Sequence, residues 1–285
     1  MDDVILIITE GLKPEHKKLN EIKDIFLQQK RNIVLSPDVG HIINLCNDLD
    51  NDPDLDYLSW LKENGKTNEN INSLSLDNIS EIYLFFDYDC HGITKAGYKG
   101  GNLDKYNEDL LHLLDLCNES TSQFGKLYIS YPMIESLWDI PVGSNFTSCN
   151  NNCFFPIDKI KQYKKIINDK YPYKCRPMNK EAWQKFLSIH LDRFLICTGS
   201  KKYENLSDFS YFDIIDYDLS RLHQIESYLS ENENLVFAIN PLPLFLLEIG
   251  GPKQFSKFVT NLQDIKCNCT YIQCSEKFKD IIKNI

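Results

Sequence analysis

The sequence predicts an α/β protein built on a mostly parallel sheet flanked by helices. Two mostly apolar runs of strand-forming residues, Val4–Thr9 and Glu81–Phe86, lead directly into the acidic residues Glu10 and Asp87. Runs of this kind are typical of strands that are buried on both faces, as in parallel sheets. Segments with helical spacing of apolar residues separate the strands, and this alternation predicts right-handed β-α-β crossovers.

The predicted elements of the first half follow one another in a regular order. A helix is predicted over Pro14–Lys30, because a proline lies near its start and apolar residues recur at helical spacing. A short strand, Asn32–Leu35, and a second helix, Val39–Leu49, come next. Residues 47–80 are rich in Asn, Asp, Ser and Gly and predict an insertion, with a short helix at Tyr57–Glu63.

Further elements follow the strand that ends at Asp87. Gly92–Gly101 carries four glycines and predicts a loop, and Leu103–Cys117 and Lys126–Ser130 predict a helix and a strand. The second half changes character, since its predicted elements are the helices Asp158–Asp169, Lys180–Phe194, Leu219–Leu229 and Pro243–Ile249 and the short strand Leu235–Ile239. We therefore expect an α/β domain over residues 1–145 and a mainly helical C-terminal domain over residues 146–285.

Composition limits the classes of protein that the chain can belong to. It has 285 residues, and none of its apolar runs approaches 18 residues, so we expect no membrane span. Because the N-terminus has no basic signal-peptide region, the ten cysteines are expected to be reduced thiols in a cytoplasmic protein. The net charge of −10 argues against nucleic-acid binding by electrostatics alone. It does not exclude a metal-dependent nuclease, whose acidic site is neutralised by cations.

Three carboxylates are predicted to meet at one edge of the sheet. Glu10 follows the first buried strand, and Asp87 and Asp89 follow another about 75 residues later. In parallel sheets ligands bind outside the carboxyl ends of the strands. Carboxylates at that edge are suitable ligands for a hard cation, Mg²⁺ or Mn²⁺. The alternatives are that Asp87 is solvated, that Asp89 caps a turn and that Glu10 caps the helix that follows it.

Glu10-Gly11 and Asp87-Tyr88-Asp89, in this order and each after a strand, resemble the Toprim domain of topoisomerases, DnaG-type primases and OLD-family nucleases. The resemblance covers roughly residues 1–140. It implies a Toprim-like fold and a metal-dependent site for phosphodiester chemistry. On this resemblance Asp87 and Asp89 hold Mg²⁺ at the scissile phosphate, and Glu10 is a further ligand or a general base.

The length of the chain limits which kinds of Toprim protein it can resemble. The nucleophilic-tyrosine domain of a topoisomerase and the zinc module of a primase have no counterpart here, so the resemblance implies a standalone endonuclease. Such nucleases occur as toxic effectors in bacterial anti-phage systems and act on DNA or RNA, with tRNA among the candidates. In OLD-family and related systems an ABC-type ATPase accompanies the Toprim part, so the resemblance implies such a partner. We expect it in trans, because Gly65-Lys66-Thr67 lacks the P-loop glycine where Trp60 stands. A homo-oligomer is also open.

Several other residues are weaker candidates for the site. His91 could contact phosphate or act as an acid, or it could simply be exposed. Glu135 follows another strand signal and could reach the same edge, or it could cap or pack a helix. Lys95 and Lys99 could neutralise phosphate charge. Asp216-Tyr217-Asp218 repeats the Asp-x-Asp pattern, but it precedes helix signals and predicts a helix cap.

The cysteines do not predict a zinc site. Their spacings miss the usual pairs of Cys-x₂-Cys, so free thiols are favoured at Cys149, Cys153, Cys267, Cys269 and Cys274.

Two alternative functions remain open at the sequence level. One is a haloacid-dehalogenase-like phosphatase with Asp87 as the nucleophile and Asp89 as the acid/base. His91 stands where that family usually has Thr or Val, and its nucleophile strand normally comes first in the chain. The other alternative is a non-catalytic module that keeps the fold and acts as a binding or sensor subunit.

Overall fold

The structure is a computed structural model that describes residues 4–11, 13–27, 32–36, 38–52, 54–88, 103–139, 154–156, 159–170, 178–197 and 235–251. Residues 1–134 form one compact unit and residues 135–285 a second. The predicted boundary between residues 145 and 146 lies outside the described residues and stays a prediction.

The first unit contains a four-stranded sheet in which all neighbouring strands are parallel. Its strands are β1 (Val4–Thr9), β2 (Asn32–Leu35), β3 (Ile79–Asp87) and β4 (Lys126–Ser130). They are ordered β2-β1-β3-β4, which confirms the predicted α/β class with a parallel, Rossmann-like sheet flanked by helices. All six residues of β1 are buried, as are five consecutive residues of β3 from position 82 to 86. Each buried aliphatic or aromatic side chain contributes roughly 1.5–3 kcal/mol, so the two central strands hold the core.

Helices connect the strands in the predicted alternation. Between β1 and β2 the chain forms α1 (Lys13–Ile22), which continues as a π-helical turn over Lys23–Leu27. The connection from β2 to β3 holds α2 (Ile42–Asn51), α3 (Tyr57–Glu63), α4 (Glu69–Asn72) and a 3₁₀ turn (Leu76–Asn78). Between β3 and β4 lies α5 (Leu103–Leu116). The helices α2 and α5 begin and end within three residues of their predicted bounds, and α1 begins one residue before its predicted start. The end predicted for α1, Lys30, falls outside the described residues.

The segment predicted as an insertion, residues 47–80, packs into the unit. Tyr57 and Trp60 of α3 are buried, and the Tyr57 hydroxyl donates to the Phe124 carbonyl at 3.0 Å. The Trp60 indole nitrogen donates to Asp48 Oδ2 at 2.8 Å. These bonds tie α3 to α2 and to the turn before β4. The segment is therefore part of the helical layer of the first unit.

Local capping explains where α3 begins. The carboxylate of Asp56 accepts hydrogen bonds from the backbone nitrogens of Leu58 and Ser59, at 2.9 and 3.4 Å. These two N–H groups have no acceptor within the helix, and an aspartate at this position satisfies them. The predicted short helix has the same bounds, Tyr57–Glu63.

The second unit contains helices and a small antiparallel sheet among its described residues. The strands β5 (Phe154–Pro156) and β6 (Leu235–Phe237) pair with each other. The helices are α6 (Ile160–Lys170), α7 (Lys180–Cys197) and α8 (Leu242–Gly250). Strand β5 was not predicted, and the predicted helix Leu219–Leu229 lies outside the described residues.

A buried histidine links distant segments of the second unit. The backbone nitrogen of Asn240 donates to His190 Nδ1 at 3.2 Å, so the ring proton of a neutral imidazole sits on Nε2. That nitrogen lies 3.1 Å from the Leu137 carbonyl and donates to it. Nearby in the chain, the Ser136 hydroxyl donates to the Ile239 carbonyl at 3.1 Å. His190 is therefore a fully bonded core residue.

Candidate metal and catalytic site

The candidate site lies where the connections of the first sheet diverge. From β1 the chain runs to β2 on one side, and from β3 it runs to β4 on the other. Such a switch point leaves a crevice outside the carboxyl ends of the two central strands, and ligands of open parallel sheets bind there. Glu10 directly follows β1, and Asp87 is the last residue of β3. The strand order therefore brings both residues to the switch point.

Glu10 is held against the end of β3 by two hydrogen bonds. Its backbone nitrogen donates to the Phe85 carbonyl at 3.0 Å, which extends the β1–β3 ladder by one residue. Its Oε2 atom accepts a hydrogen bond from the Asp87 backbone nitrogen at 2.9 Å. A carboxylate bound to a backbone N–H is a charge-assisted pair, stronger than one between neutral groups. The helix-capping alternative for Glu10 does not account for this bond to the neighbouring strand.

Asp87 is in turn bound by the segment that follows β4. Its Oδ1 atom accepts a hydrogen bond from the Ile134 backbone nitrogen at 2.7 Å. The Asp87 side chain is half-buried, so it is not the fully solvated residue of the simplest alternative. Each of the two carboxylates thus accepts a hydrogen bond from a backbone amide, Glu10 from the end of β3 and Asp87 from the segment after β4.

Tyr88, between the two aspartates of the motif, fixes the path of the chain as it leaves β3. Its nitrogen donates to the Ser130 carbonyl at 3.0 Å, and its buried hydroxyl donates to Asn107 Oδ1 at 2.8 Å. The Tyr88 carbonyl accepts a hydrogen bond from the Tyr106 hydroxyl. Contacts with β4 and α5 therefore determine the backbone position up to the residue before Asp89.

Gly11 makes room for a buried acid that sequence reasoning missed. A Cβ atom at Gly11 would lie 3.0 Å from Oε2 of Glu15, closer than ordinary contacts allow. Glu15 lies in the first turn of α1 and is only 8% exposed. A negative charge at this end of a helix is favoured by the helix dipole. The glycine after Glu10 therefore has a packing reason, and an acid early in the following helix was the available signal for it.

His16 is the second residue that was missed. Its Nε2 atom lies 2.9 Å from Thr9 Oγ1, and the Thr9 hydroxyl donates to the Gly11 carbonyl at 2.8 Å. Burial lowers the pKa of His16, and this effect outweighs the hydrogen bond to the Ser36 backbone and the charge of Asp38, which both raise it. A histidine in the first helix after β1 was the only sequence signal, and it did not distinguish this residue from a surface histidine.

The turn after β2 supports the backbone on the other side of Glu10. The nitrogens of Val39 and Gly40 donate to the carbonyls of Thr9 and Glu10, both at 3.3 Å. The Gly40 nitrogen also lies 2.9 Å from Asp38 Oδ1, and its φ of 83° falls in the left-handed region. Glycine adopts that region without steric cost. Segments from β2, β3 and α1 thus surround the Glu10-Gly11 turn.

Of the other predicted site residues, Glu135 is the one that the structure describes. Glu135 belongs to the second unit, where it is 1% exposed and lies 3.2 Å from Lys164 Nζ. The remaining predictions fall outside the described residues, namely Asp89, His91, Lys95, Lys99, Asp216, Asp218, Cys149, Cys153, Cys267, Cys269 and Cys274.

The described part of the chain supplies two of the three predicted metal ligands. Within it, no group of three His, Cys, Asp or Glu side chains is placed to hold a metal ion, and Asp89 lies outside it. Glu10 and Asp87 contribute carboxylate oxygens at one crevice, the ligand type that Mg²⁺ and Mn²⁺ prefer. The donor chemistry of these two residues, carboxylate oxygen, is that of a site for a hard divalent cation.

Comparison with known proteins adds no relative to this picture: no family model, no curated protein and no solved structure matches the chain. The Toprim resemblance therefore depends on Glu10-Gly11 and Asp87-Tyr88-Asp89. Of the helices that the structure describes, none has the length and apolar character needed to cross a membrane.

Proposed function

We propose that this protein is a metal-dependent endonuclease of Toprim type that hydrolyses phosphodiester bonds in DNA or RNA. The observation that supports the proposal best is the 2.9 Å hydrogen bond from the Asp87 nitrogen to Glu10 Oε2. It joins the two halves of a motif that are 77 residues apart, at the position in the sheet where ligands bind.

The proposed chemistry assigns a different task to each carboxylate. Asp87, together with Asp89, would hold Mg²⁺ or Mn²⁺ through its carboxylate oxygens. When bound, the cation supplies positive charge at the scissile phosphate and lowers the pKa of a bound water. Glu10 would accept the proton of the attacking water, or contribute a further ligand oxygen. The amides of Asp87 and Ile134 keep both carboxylates oriented without a rearrangement during the reaction.

The acidity of the chain bears on its partners. With a net charge of −10, the protein repels a polyanion unless cations or a partner neutralise it. On the Toprim resemblance, the chain is a toxic effector of an anti-phage defence system that works with a separate ABC-type ATPase in the cytoplasm. Its substrate is DNA or RNA, with tRNA included, and a homo-oligomer is compatible with this function.

Cleavage assays with matched aspartate variants test the proposal. Purified protein is incubated with plasmid DNA and with tRNA, in Mg²⁺, in Mn²⁺ and in EDTA. Cleavage should require the metal, and Glu10→Gln, Asp87→Asn and Asp89→Asn should each lower its rate at least about 100-fold. Asp216→Asn, in the second Asp-x-Asp pattern, is the matched control and should leave the rate unchanged.

Metal titration by calorimetry provides a readout that does not depend on the substrate. Mn²⁺ should bind the wild-type protein, and the affinity should fall at least about tenfold in Asp87→Asn. Hydrolysis of a phosphomonoester without nicking would favour the phosphatase alternative. If the protein neither binds Mn²⁺ nor cleaves, the nuclease proposal is wrong and the non-catalytic module takes its place.

A further inference from the structure

A short chain of hydrogen bonds connects α1 to the turn that carries Glu10. The imidazole of His16 contacts the hydroxyl of Thr9, and that hydroxyl contacts the carbonyl of Gly11, at 2.9 and 2.8 Å. Thr9 is fully buried and is the last residue of β1. The chain of bonds therefore begins on a helix and ends on the carbonyl of Gly11, the residue that follows Glu10.

The proton of the Thr9 hydroxyl can be placed, because a backbone carbonyl can only accept, so this proton is donated to Gly11. His16 Nε2 lies 2.9 Å from the same hydroxyl oxygen, and the His16 ring also bonds the Ser36 backbone. The histidine and the Gly11 carbonyl are thus connected through one atom, Thr9 Oγ1.

The Gly11 carbonyl, at the end of these bonds, belongs to the turn that positions the Glu10 side chain. The Glu10 carboxylate has to reach across to the Asp87 nitrogen on β3, while the Glu10 carbonyl accepts from Gly40 on the other side. Gly11 has no side chain of its own to restrict its backbone. The bond to the Gly11 carbonyl restricts ψ of Gly11 and the bond to the Glu10 carbonyl restricts ψ of Glu10, so together they hold the turn that carries the Glu10 side chain.

We propose that His16 is a positioning residue, which acts through the Thr9 hydroxyl to hold the Glu10-Gly11 turn and so directs the Glu10 carboxylate toward Asp87. The catalytic meaning of this role rests on the nuclease function proposed above. The role itself is a property of the folded chain and can be measured without any substrate.

Hydrogen exchange at the Asp87 amide measures the position of Glu10 directly, since that amide donates to the Glu10 carboxylate. In His16→Ala and in Thr9→Val, the Asp87 amide should exchange about tenfold faster than in the wild type, a change that corresponds to the loss of one hydrogen bond. His16→Gln keeps an N–H donor and should restore much of the protection. Glu10→Ala, which removes the acceptor, sets the upper limit of the effect.

Two controls separate positioning from general destabilisation. The Leu84 amide in the same strand serves as an internal reference. Its exchange rate in His16→Ala and Thr9→Val should equal that of the wild type, while the exchange rate of the Asp87 amide rises. His112, an exposed histidine on α5, provides the matched variant His112→Ala, which should behave as the wild type. The double variant Thr9→Val/His16→Ala should exchange no faster at Asp87 than either single variant, because both break the same sequence of bonds.

In the cleavage assay, His16→Ala should lower kcat about tenfold with little change in KM, as expected when a group that acts in the transition state is misdirected. Equal acceleration of exchange at Leu84 and Asp87, or additive effects of the two variants, would overturn the positioning role. If the exchange pattern holds but the wild-type protein cleaves nothing, the positioning role stands and the nuclease proposal fails. If Glu10→Gln is inactive while His16→Ala exchanges and cleaves as the wild type does, the nuclease proposal stands and the positioning role fails.

Discussion

The backbone nitrogen of Ile134 donates a hydrogen bond to the carboxylate of Asp87 at 2.7 Å, so the end of β3 is tied to the segment that follows β4. This bond gives Asp87 a structural task besides its proposed role as a metal ligand. The two tasks make different demands on the side chain, because the structural one needs only an oxygen acceptor.

Asp87→Asn and Asp87→Ala should therefore differ in stability while agreeing in activity. The asparagine keeps an acceptor for Ile134, whereas the alanine leaves that N–H without one, at a cost of about 1–3 kcal/mol. Urea unfolding followed by circular dichroism measures this difference, and metal titration should show that both variants lose Mn²⁺ affinity. Equal stabilities of the two variants would mean that the bond to Ile134 contributes nothing.

Two glycines with the same backbone conformation offer a matched pair for substitution by alanine. Gly65 and Gly125 have φ values of 64° and 65°, but a Cβ at Gly125 would lie 2.8 Å from Ile82, whereas a Cβ at Gly65 would have no other residue of the described structure, apart from its chain neighbours, within 4 Å. Gly65→Ala should cost roughly 1 kcal/mol for the left-handed conformation alone. Gly125→Ala should cost about 3 kcal/mol, because it adds the clash with β3. Urea unfolding of both variants checks the order, which would be contradicted if Gly65→Ala proved the more costly.

The lowered pKa of His16 predicts a specific pH dependence of stability. Because burial keeps the pKa of this side chain below its ordinary 6.5, the unfolded chain takes up the proton at a higher pH than the folded protein does. The resulting stabilisation is fully present above pH 6.5 and is lost as the pH falls through the lower pKa of the folded state. The free energy of unfolding of the wild type should therefore fall more than that of His16→Gln between about pH 8 and about pH 5. Urea titrations at several pH values measure both slopes, and parallel curves would show that His16 is not responsible.

Cys117 should be inert in the folded protein. Burial raises the pKa of its thiol to about 12, although its hydrogen bond with the Tyr57 hydroxyl opposes the shift. Since the thiolate is the reactive form, iodoacetamide at about pH 8 should leave this residue unmodified. Mass spectrometry of peptides from native and urea-treated protein tests the expectation, with labelling in urea as the positive control. Rapid labelling of Cys117 in the native protein would contradict its burial.

Much of the secondary structure of the first unit could be predicted from short-range patterns in the sequence. The strands β1, β2 and β4 and the helix α3 have the predicted bounds, because each combines a strong apolar pattern with a clear stop at its end. Strand β5 could not be predicted in this way, since it is three residues long and includes Pro156. The π-helical turn Lys23–Leu27 was also hidden, because its apolar spacing differs little from that of an α-helix.

The candidate site was predictable only in part, for a different reason. Glu10 and Asp87 were found because they end strands, and the ends of parallel strands share an edge. Glu15 and His16 were missed because a charged or polar residue early in a helix is most often solvated. Their burial depends on the absent side chain of Gly11 and on the neighbouring end of β2, which are matters of three-dimensional arrangement.

The central position of β1 and β3 also governs when the site can exist during protein synthesis. When only the first 78 residues have been synthesised, the nascent chain contains Glu10 but none of β3. The site needs the pairing of β1 with β3 and then the arrival of Ile134, so it closes a loop of 77 residues before it is complete. Closing such a loop costs conformational entropy, and this cost is offset only when the paired strands form their contacts. A fragment that ends before β3, released when translation stops early, therefore cannot form the pair of Glu10 and Asp87.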